Sequence, residues 1–154
     1  MYCNKHITIS STLLDYFAFQ TFFGALLLFK GGSMTTKIAI IEDDQAINQM
    51  YRLKFEAEGF NVVSADNGQE GLEICQQAKP DIVLLDLMMP IMRGDEMLAK
   101  LRETAWGKDM RVVVLTNVGE AKIAEKVREL GVLDVLTKAQ LTPTEVVNKI
   151  RSLL

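Results

Sequence analysis

Five short apolar stretches, each followed by a helical pattern, constrain the fold of this chain more than any other feature. The apolar stretches lie at 37–41, 61–65, 82–85, 111–115 and 132–136. The helical patterns lie at 45–58, between Asn67 and Pro80, from Gly94 to about Ala105, at 120–130 and after Thr142. Continuous apolar runs are typical of strands buried on both faces of a parallel sheet, with the intervening helices covering it. We therefore predict an α/β fold with a five-stranded, doubly wound parallel sheet.

Several helix ends carry their own signals. Asn67, with Glu70 three residues later, predicts a helix start. The run 142–145, Thr-Pro-Thr-Glu, is a capping box with proline at the first helical position. Gly59 is the expected stop of the first helix. The apolar residues of this helix recur at helical spacing, at Ile47, Met50, Tyr51 and Phe55.

Composition narrows the classes of function. The 154 residues fit one domain with a sizeable core, and the net charge of -3 provides no basic surface for nucleic acid. Cys3 and Cys75 lie far apart, which argues against a disulfide framework and favours a reducing compartment, so we expect a cytoplasmic protein. Cys75 is interpreted as a core residue. The single histidine, His6, has no partner at ligand spacing, which excludes a histidine-based metal site or triad.

Residues 1–33 differ from the rest of the chain. The apolar run 13–29 reaches only the lower limit for spanning a bilayer, and Asp15 and Gln20 interrupt it. A signal peptide fits poorly, since no small-residue cleavage signal follows. Residues 30–32, Lys-Gly-Gly, can be encoded by a purine-rich run upstream of Met34. We expect 1–33 to be leader from a misassigned start, with a membrane anchor as the second hypothesis, and the domain to be 34–154.

Polar side chains follow four of the five predicted strands. Right-handed crossovers place every strand-to-helix loop at one edge of a parallel sheet, where open α/β folds bind ligands. Taken singly, the acids could begin a helix, the threonine could be a turn residue and the lysine a surface charge. Their shared position at four strand ends favours a common site. The residues at this edge are Glu42, Asp43, Asp44, Asp86, Thr116 and Lys138.

Carboxylates that converge in one cleft repel one another, and a hard divalent cation allows them to stay ionised. Mg²⁺ suits a small set of oxygen ligands. Lys138 can neutralise a phosphoryl oxygen, and the hydroxyl of Thr116 can donate to another. These residue types predict the transfer of a phosphoryl group to Asp86, with formation of an aspartyl phosphate.

From about residue 37 to 154 the chain resembles the receiver domain of the two-component response regulators. The matching motifs are Ile-Ile-Glu-Asp-Asp at 40–44, Asp-Leu-Met-Met-Pro at 86–90 followed by Gly94, Val-Leu-Thr at 114–116, and Lys138. The resemblance implies a flavodoxin-like sheet of order 2-1-3-4-5.

The resemblance also assigns roles to the residues at the sheet edge. It implies that Asp86 takes phosphate from a phosphohistidine on a sensor histidine kinase or histidine phosphotransferase. Asp43, Asp86 and the backbone carbonyl of Met88 would bind Mg²⁺ directly, and Glu42 would act through water. Thr116 and Lys138 would hold the phosphoryl group.

The chain departs from the family pattern at three positions. Val135 stands where an aromatic switch residue is usual, Asn117 where a small residue is common, and Ala139 where proline usually follows the lysine. A cis peptide after Lys138 is therefore not expected, because it costs about 3 kcal/mol without proline. Met88 and Val118, which would flank the path of hydrolytic water, cannot orient it. We predict slow self-dephosphorylation.

Three other functions compete with this interpretation. A receiver-like module could work by protein contact alone without phosphorylation. An aspartyl phosphatase would require a second aspartate at Met88, and a dinucleotide enzyme would require a Gly-x-Gly-x-x-Gly motif after the first strand. Because no sequence follows Leu154, we expect signalling by docking of a downstream protein target, with a phosphorylation-dependent homodimer as a further option.

Overall fold

Five parallel strands form one sheet in the computed structural model, which describes residues 35–117 and 121–154. The strand order is β2-β1-β3-β4-β5 and every pairing is parallel. The predicted fold class and strand order are confirmed. The predictions for 1–33 and for Val118 lie outside the described residues. The strands are β1 (Lys37–Ile41), β2 (Asn61–Ala65), β3 (Ile82–Asp86), β4 (Val112–Thr116) and β5 (Asp134–Thr137).

Helices connect consecutive strands, as the sequence pattern predicts. The predicted bounds differ from the observed ones by one or two residues. Differences of two residues occur at the end of the third helix, at Glu103 rather than near Ala105, and at the start of β5, at Asp134 rather than at 132. Gly131, at φ +71°, ends the preceding helix, and the next two residues turn the chain into the sheet. The helices are α1 (Gln45–Ala57), α2 (Gly68–Ala78), α3 (Gly94–Glu103), α4 (Ala121–Glu129) and α5 (Pro143–Ser152), with a 3₁₀ turn at Lys138–Gln140 before α5.

Two apolar cores lie on opposite faces of the sheet, because alternate strand residues point to opposite sides. One core contains residues of α2, α3 and α4, and the other contains residues of α1 and α5. Cys75 is fully buried in the first core, and burial raises the pKa of its thiol to about 12. It is therefore a core residue, as predicted, and not a reactive thiol.

The predicted capping residues make the expected contacts. Asn67 Oδ1 accepts a hydrogen bond of 3.0 Å from the Glu70 backbone N–H. At α5, Glu145 Oε2 accepts from the Thr142 backbone N–H at 2.7 Å, and Thr142 Oγ1 accepts from the Glu145 backbone N–H at 3.3 Å. These reciprocal bonds satisfy donors that a helix start leaves unpaired.

Met50 shares the apolar spacing of α1 but is exposed. Its side chain is 39% exposed, whereas Tyr51 and Phe55 are buried. Apolar spacing marks residues that can share a helix face, but α1 buries only the narrower stripe that contacts the sheet. A polar residue, Asn48, lies in that stripe.

The register of β1 and β3 determines where Glu42 and Asp86 lie at the carboxyl edge of the sheet. Ile41 pairs with Leu85, so the next residue of each strand, Glu42 and Asp86, leaves the sheet at the same level. Gly94 holds the start of α3 against this point, since a Cβ atom there would overlap with the carbonyl oxygen of Asp86. The close backbone approach explains why glycine occupies this position.

Candidate functional site

Three carboxylates converge at the carboxyl edge of the sheet. Asp86 ends β3, and Glu42 and Asp43 follow β1. Glu42 and Asp86 are each only 2% exposed. One carboxylate oxygen from each of the three lies within 4.8 Å of the others. Among residues 35–117 and 121–154, this is the group of acidic, histidine or cysteine side chains with the geometry of a metal site.

Backbone contacts orient two of these carboxylates. Asp86 Oδ2 accepts a hydrogen bond of 2.9 Å from the Met88 N–H. The backbone of Glu42 is held on both sides, because its N–H donates to the Ala65 carbonyl at 3.1 Å and its carbonyl accepts from Asn48 Nδ2 at 3.0 Å. The role of Asn48 was missed in the sequence analysis. The only feature of the sequence that points to Asn48 is its position, which places an amide inside the apolar stripe of α1.

Asp44 does not belong to the carboxylate cluster, although the sequence placed it at the same edge. Its side chain is turned to the start of α1, where Oδ1 accepts hydrogen bonds from the backbone N–H groups of Ala46 and Ile47 at 2.9 and 3.1 Å. It is therefore the N-cap of α1, and a capping aspartate has its acceptor oxygen directed at the helix.

Lys138 lies between the two buried carboxylates. Its ammonium nitrogen is 2.6 Å from Glu42 Oε2 and 2.7 Å from Asp86 Oδ1, and its side chain is 13% exposed. The alternative of a surface charge is thus wrong for this residue. Within the described structure, these two oxygens accept no hydrogen bond from a backbone amide or hydroxyl. The lysine is their one charged partner.

The site contains more negative than positive charge, and the pKa shifts of its residues reflect this imbalance. Burial raises the pKa of Glu42, the contact with Lys138 opposes this effect, and repulsion by Asp86 adds to it. Burial acts to lower the pKa of Lys138, but its contacts with Asp86 and Glu42 outweigh burial, so the pKa is raised. The ammonium is therefore held in its charged form. For Glu42, the contact with Lys138 does not fully offset the effects of burial and of Asp86, which disfavour the charged carboxylate.

Tyr51 approaches this site from α1, which the sequence analysis treated as a core face alone. The side chain is 3% exposed. Burial raises the pKa of its hydroxyl, and the charges of Lys138 and Glu42 act on it in opposite directions. The phenol thus lies within electrostatic reach of the ion pairs.

The other predicted site residues lie near the same edge. Thr116 ends β4, is buried, and pairs in register with Thr137 at the end of β5. Met88 follows Asp86 and has a side chain that is 44% exposed. Val135 is half-buried and packs against the core beside α4, and Asn117 is exposed. The described residues contain no cis peptide, including the bond between Lys138 and Ala139.

The donor set fits a small, hard divalent cation. Glu42, Asp43 and Asp86 supply carboxylate oxygens from the ends of two neighbouring strands, β1 and β3. Glu42 Oε2 and Asp86 Oδ1 are buried, and within the described residues they have no hydrogen-bond partner apart from the ion pairs with Lys138. Mg²⁺ binds through one or two carboxylates and keeps several waters, which matches so few ligands at a half-open edge.

Comparison with known proteins agrees with this geometry. The family model of the response regulator receiver domain matches residues 38–151 of this chain. The transcriptional regulatory protein SrrA of Staphylococcus aureus is 34% identical over 121 residues, which are 79% of this chain and 48% of that protein. The chain thus spans about half the length of this relative.

Solved structures show the same fold. The receiver domain of the Francisella response regulator 1452 is 26% identical, with a TM-score of 0.70 over 77% of this chain and 96% of the other. The chemotaxis response regulator CheY4 of Vibrio cholerae is 24% identical, with a TM-score of 0.72 over 79% of this chain and all of the other. In the part of the chain that the structure describes, none of the helices is long and apolar enough to cross a membrane.

Proposed function

Because this chain belongs to the response regulator receiver domain family, we propose that Asp86 accepts a phosphoryl group from a phosphohistidine of a partner protein. The observation that carries the proposal is the contact of Lys138 with Asp86 inside a cluster of three carboxylates, of which Glu42 and Asp86 are buried. A nucleophilic carboxylate, a cation beside it and oxygen ligands for a metal are the groups that phosphoryl transfer to an aspartate requires.

In the transfer step, a carboxylate oxygen of Asp86 attacks the phosphorus atom. The bond between phosphorus and the imidazole nitrogen breaks, and its electron pair returns to the imidazole. The product is an acyl phosphate on Asp86. Lys138, which already contacts this carboxylate, pairs with a phosphoryl oxygen, and the hydroxyl of Thr116 donates to another. Gly94 leaves space for the backbone at Asp86.

Glu42, Asp43, Asp86 and the backbone carbonyl of Met88 would hold Mg²⁺, with Glu42 acting through water. When bound, the metal offsets the charge that develops on the transferred group. The chain is therefore a phospho-acceptor that takes part in its own phosphorylation and dephosphorylation. It is not a general hydrolase.

The partners follow from the chemistry. A sensor histidine kinase or a histidine phosphotransferase supplies the phosphoryl group, and a downstream protein target recognises the altered surface. The name of the SrrA relative refers to transcription, and that activity belongs to a protein about twice as long. We also propose that the phosphoryl group is lost slowly from Asp86, because the exposed thioether of Met88 cannot activate water.

The test is phosphorylation of the full chain by a small acyl phosphate in the presence of Mg²⁺, followed by intact-mass measurement. The proposal predicts a mass increase of one phosphoryl group, no increase without Mg²⁺, and none in Asp86→Asn. Asp109→Asn is the matched control, because Asp109 is an exposed aspartate whose side chain is 88% accessible. A wild-type chain that gains no mass would instead support the contact-only binding module, and continuous turnover would support a phosphatase.

A further inference from the structure

Asn48, at the end of the first turn of α1, directs its side chain back toward the end of β1. Nδ2 donates to the Glu42 carbonyl oxygen at 3.0 Å, and the residue is 7% exposed. The Asn48 backbone N–H donates to the Asp44 carbonyl at 2.8 Å. One asparagine thus contacts the first and the last residue of the connection between β1 and α1, which consists of residues 42–44. We call these two contacts the Asn48 bridge.

Asp43 lies at a bend between two residues whose backbones are held by hydrogen bonds. Glu42 is held by β2 and by Asn48, and Asp44 is held as the N-cap of α1. Successive residues of an extended chain direct their side chains to opposite sides. The bend is therefore what allows Glu42 and Asp43 to place carboxylate oxygens within 4.8 Å of each other and of an oxygen of Asp86.

The packing of α1 supports the bridge. Tyr51 and Phe55, on the same helix, are 3% and 0% exposed and belong to the core that α1 shares with α5. Asn48 lies in the same buried stripe, so its amide is held in place beside the end of β1. Because Glu42 is only 2% exposed, water cannot readily replace the donor of its carbonyl. The bridge thus ties the backbone of Glu42 to the position of α1.

The carboxylates of the site differ in how they are positioned. Asp86 ends a strand, and its Oδ2 accepts a hydrogen bond of 2.9 Å from the Met88 N–H. The half-buried Asp43 follows the path of the connection 42–44. Mg²⁺ requires near-ideal octahedral geometry at short distances, whereas Ca²⁺ accepts more oxygen ligands in a larger and more flexible arrangement. A connection that is fixed on both sides of Asp43 therefore favours the smaller cation.

We propose that Asn48 is a positioning residue for the metal site, and that its hydrogen bond to the Glu42 carbonyl sets how far the site favours Mg²⁺ over Ca²⁺. This inference rests on the proposed function, since it concerns the cation that assists phosphoryl transfer to Asp86. Asn48 is not itself a ligand and acts through the backbone of residues 42–44. Hydrogen bonds that orient the ligands of a metal change its affinity by about 10- to 100-fold.

Asn48→Leu removes the donor at nearly constant side-chain volume. Binding of Mn²⁺ to the full chain at neutral pH is measured by loss of the electron paramagnetic resonance signal of free Mn²⁺, and the dissociation constants of Mg²⁺ and Ca²⁺ are measured by competition. We expect the variant to bind Mg²⁺ about tenfold more weakly or worse, and Ca²⁺ less than about threefold more weakly. The preference for Mg²⁺ should fall accordingly.

Asn67→Leu is the matched control. Asn67 is also a buried asparagine in a strand-to-helix connection, where its side chain caps α2. No carboxylate of the cluster belongs to that connection. We expect this variant to be less stable than the wild type but to keep both dissociation constants within about twofold, because the ligands are not disturbed. A purely structural asparagine at position 48 would behave in the same way.

The wild type provides a second test that needs no folded variant. Nuclear magnetic resonance compares hydrogen exchange of the Asn48 side-chain amide with that of Gln69, whose Nε2 donates to Glu73 at 3.2 Å on the exposed side of α2. We expect the Asn48 amide to exchange about tenfold more slowly or less, with and without Mg²⁺. Equal exchange of the two amides would show that the bridge does not form, and would overturn the inference.

The remaining outcomes separate this inference from the proposed function. A wild type that binds neither Mn²⁺ nor Mg²⁺ would contradict the metal-dependent transfer to Asp86 and the role of Asn48 with it. A wild type that binds Mg²⁺ and gains a phosphoryl group supports the proposed function whatever the variant does. In that case, an Asn48→Leu variant with an unchanged ratio of the Mg²⁺ and Ca²⁺ dissociation constants would contradict the role of Asn48 alone.

Discussion

The ammonium nitrogen of Lys138 lies 2.7 Å from Oδ1 of Asp86, and both side chains are largely shielded from water. The lysine comes from the end of β5 and the aspartate from the end of β3, with β4 between them in the sheet. A second contact, of 2.6 Å, joins the same lysine to Glu42. One cation thus holds two buried carboxylates together, and the stability of the site depends on it.

Lys138→Met is expected to lower the free energy of unfolding by about 3 kcal/mol without divalent metal, because it leaves two buried carboxylates without a cation. Urea unfolding at neutral pH measures this effect. Lys149→Met is the control, since Lys149 pairs with Asp134 at 2.8 Å but is 43% exposed. A partly exposed pair of this kind contributes less than about 1 kcal/mol. Equal losses in the two variants would contradict the buried-pair interpretation.

Glu42→Gln is expected to stabilise the metal-free protein by about 1 kcal/mol at neutral pH. Folding raises the pKa of Glu42, chiefly through burial, so the folded state binds this proton more tightly than the unfolded state. Ionisation of Glu42 therefore costs stability as the pH rises from the ordinary carboxyl value through the raised one. The stability gain of Glu42→Gln over the wild type should therefore develop as the pH rises through this range, and it should be absent at lower pH.

Urea unfolding of wild type and Glu42→Gln at a series of pH values, from below the ordinary carboxyl pKa up to neutral pH, measures the difference. Glu103→Gln, at an exposed position on α3, should show no comparable gain. A variant that is less stable than the wild type at neutral pH would mean that the contact with Lys138 outweighs burial and repulsion.

Mg²⁺ is expected to stabilise the wild type in proportion to its binding. At a concentration about 100 times the dissociation constant, the free energy of unfolding should rise by about 2.7 kcal/mol. Asp43→Asn should lose most of this gain, because Asp43 supplies one of the three converging carboxylates. Asp109→Asn should keep it. Thermal unfolding with and without Mg²⁺ checks the prediction, and an equal response of the two variants would place the metal elsewhere.

Ile91→Gly is expected to raise the free energy of unfolding by about 0.5–1 kcal/mol. Ile91 lies in the loop between β3 and α3 at φ +65°, in the left-handed region that β-branched residues avoid. Its side chain is 82% exposed, so little packing is lost when it is removed. Ile91→Val, which keeps the branch at Cβ, should show no gain. Denaturant unfolding compares the three proteins, and a loss in the glycine variant would show that the side chain makes a stabilising contact.

Much of the fold could be predicted because local patterns and tertiary structure agree. The five apolar runs are strands, and the capping box at Thr142 and the stop at Gly59 lie where expected. Met50 shares the apolar spacing of α1 and yet is exposed. Periodicity identifies the residues that can face the sheet, whereas the width of the buried stripe depends on how closely the helix approaches it.

The sequence indicated which types of residue lie at the edge of the sheet and which strands they follow. It did not indicate which of these side chains contact one another. Asp43 and Asp44 are adjacent and chemically identical, yet one joins the carboxylate cluster and the other caps α1. Asn48 and Arg102 carried no signal beyond being polar residues in helices, and both support the architecture through backbone carbonyls. Such contacts depend on which carbonyls a fold leaves unpaired, and a linear pattern does not contain that information.

The order of apolar runs, acids, threonine and lysine along the chain was enough to indicate a parallel α/β sheet with these polar residues at one edge, because strand burial and crossover handedness are general properties of polypeptides. The pairing of Ile41 with Leu85 decided that Glu42 and Asp86 leave the sheet together. The packing around Lys138 decided that its charge is buried between them. Distances of a few ångströms between side chains on different strands arise from register and packing, which only the folded chain defines.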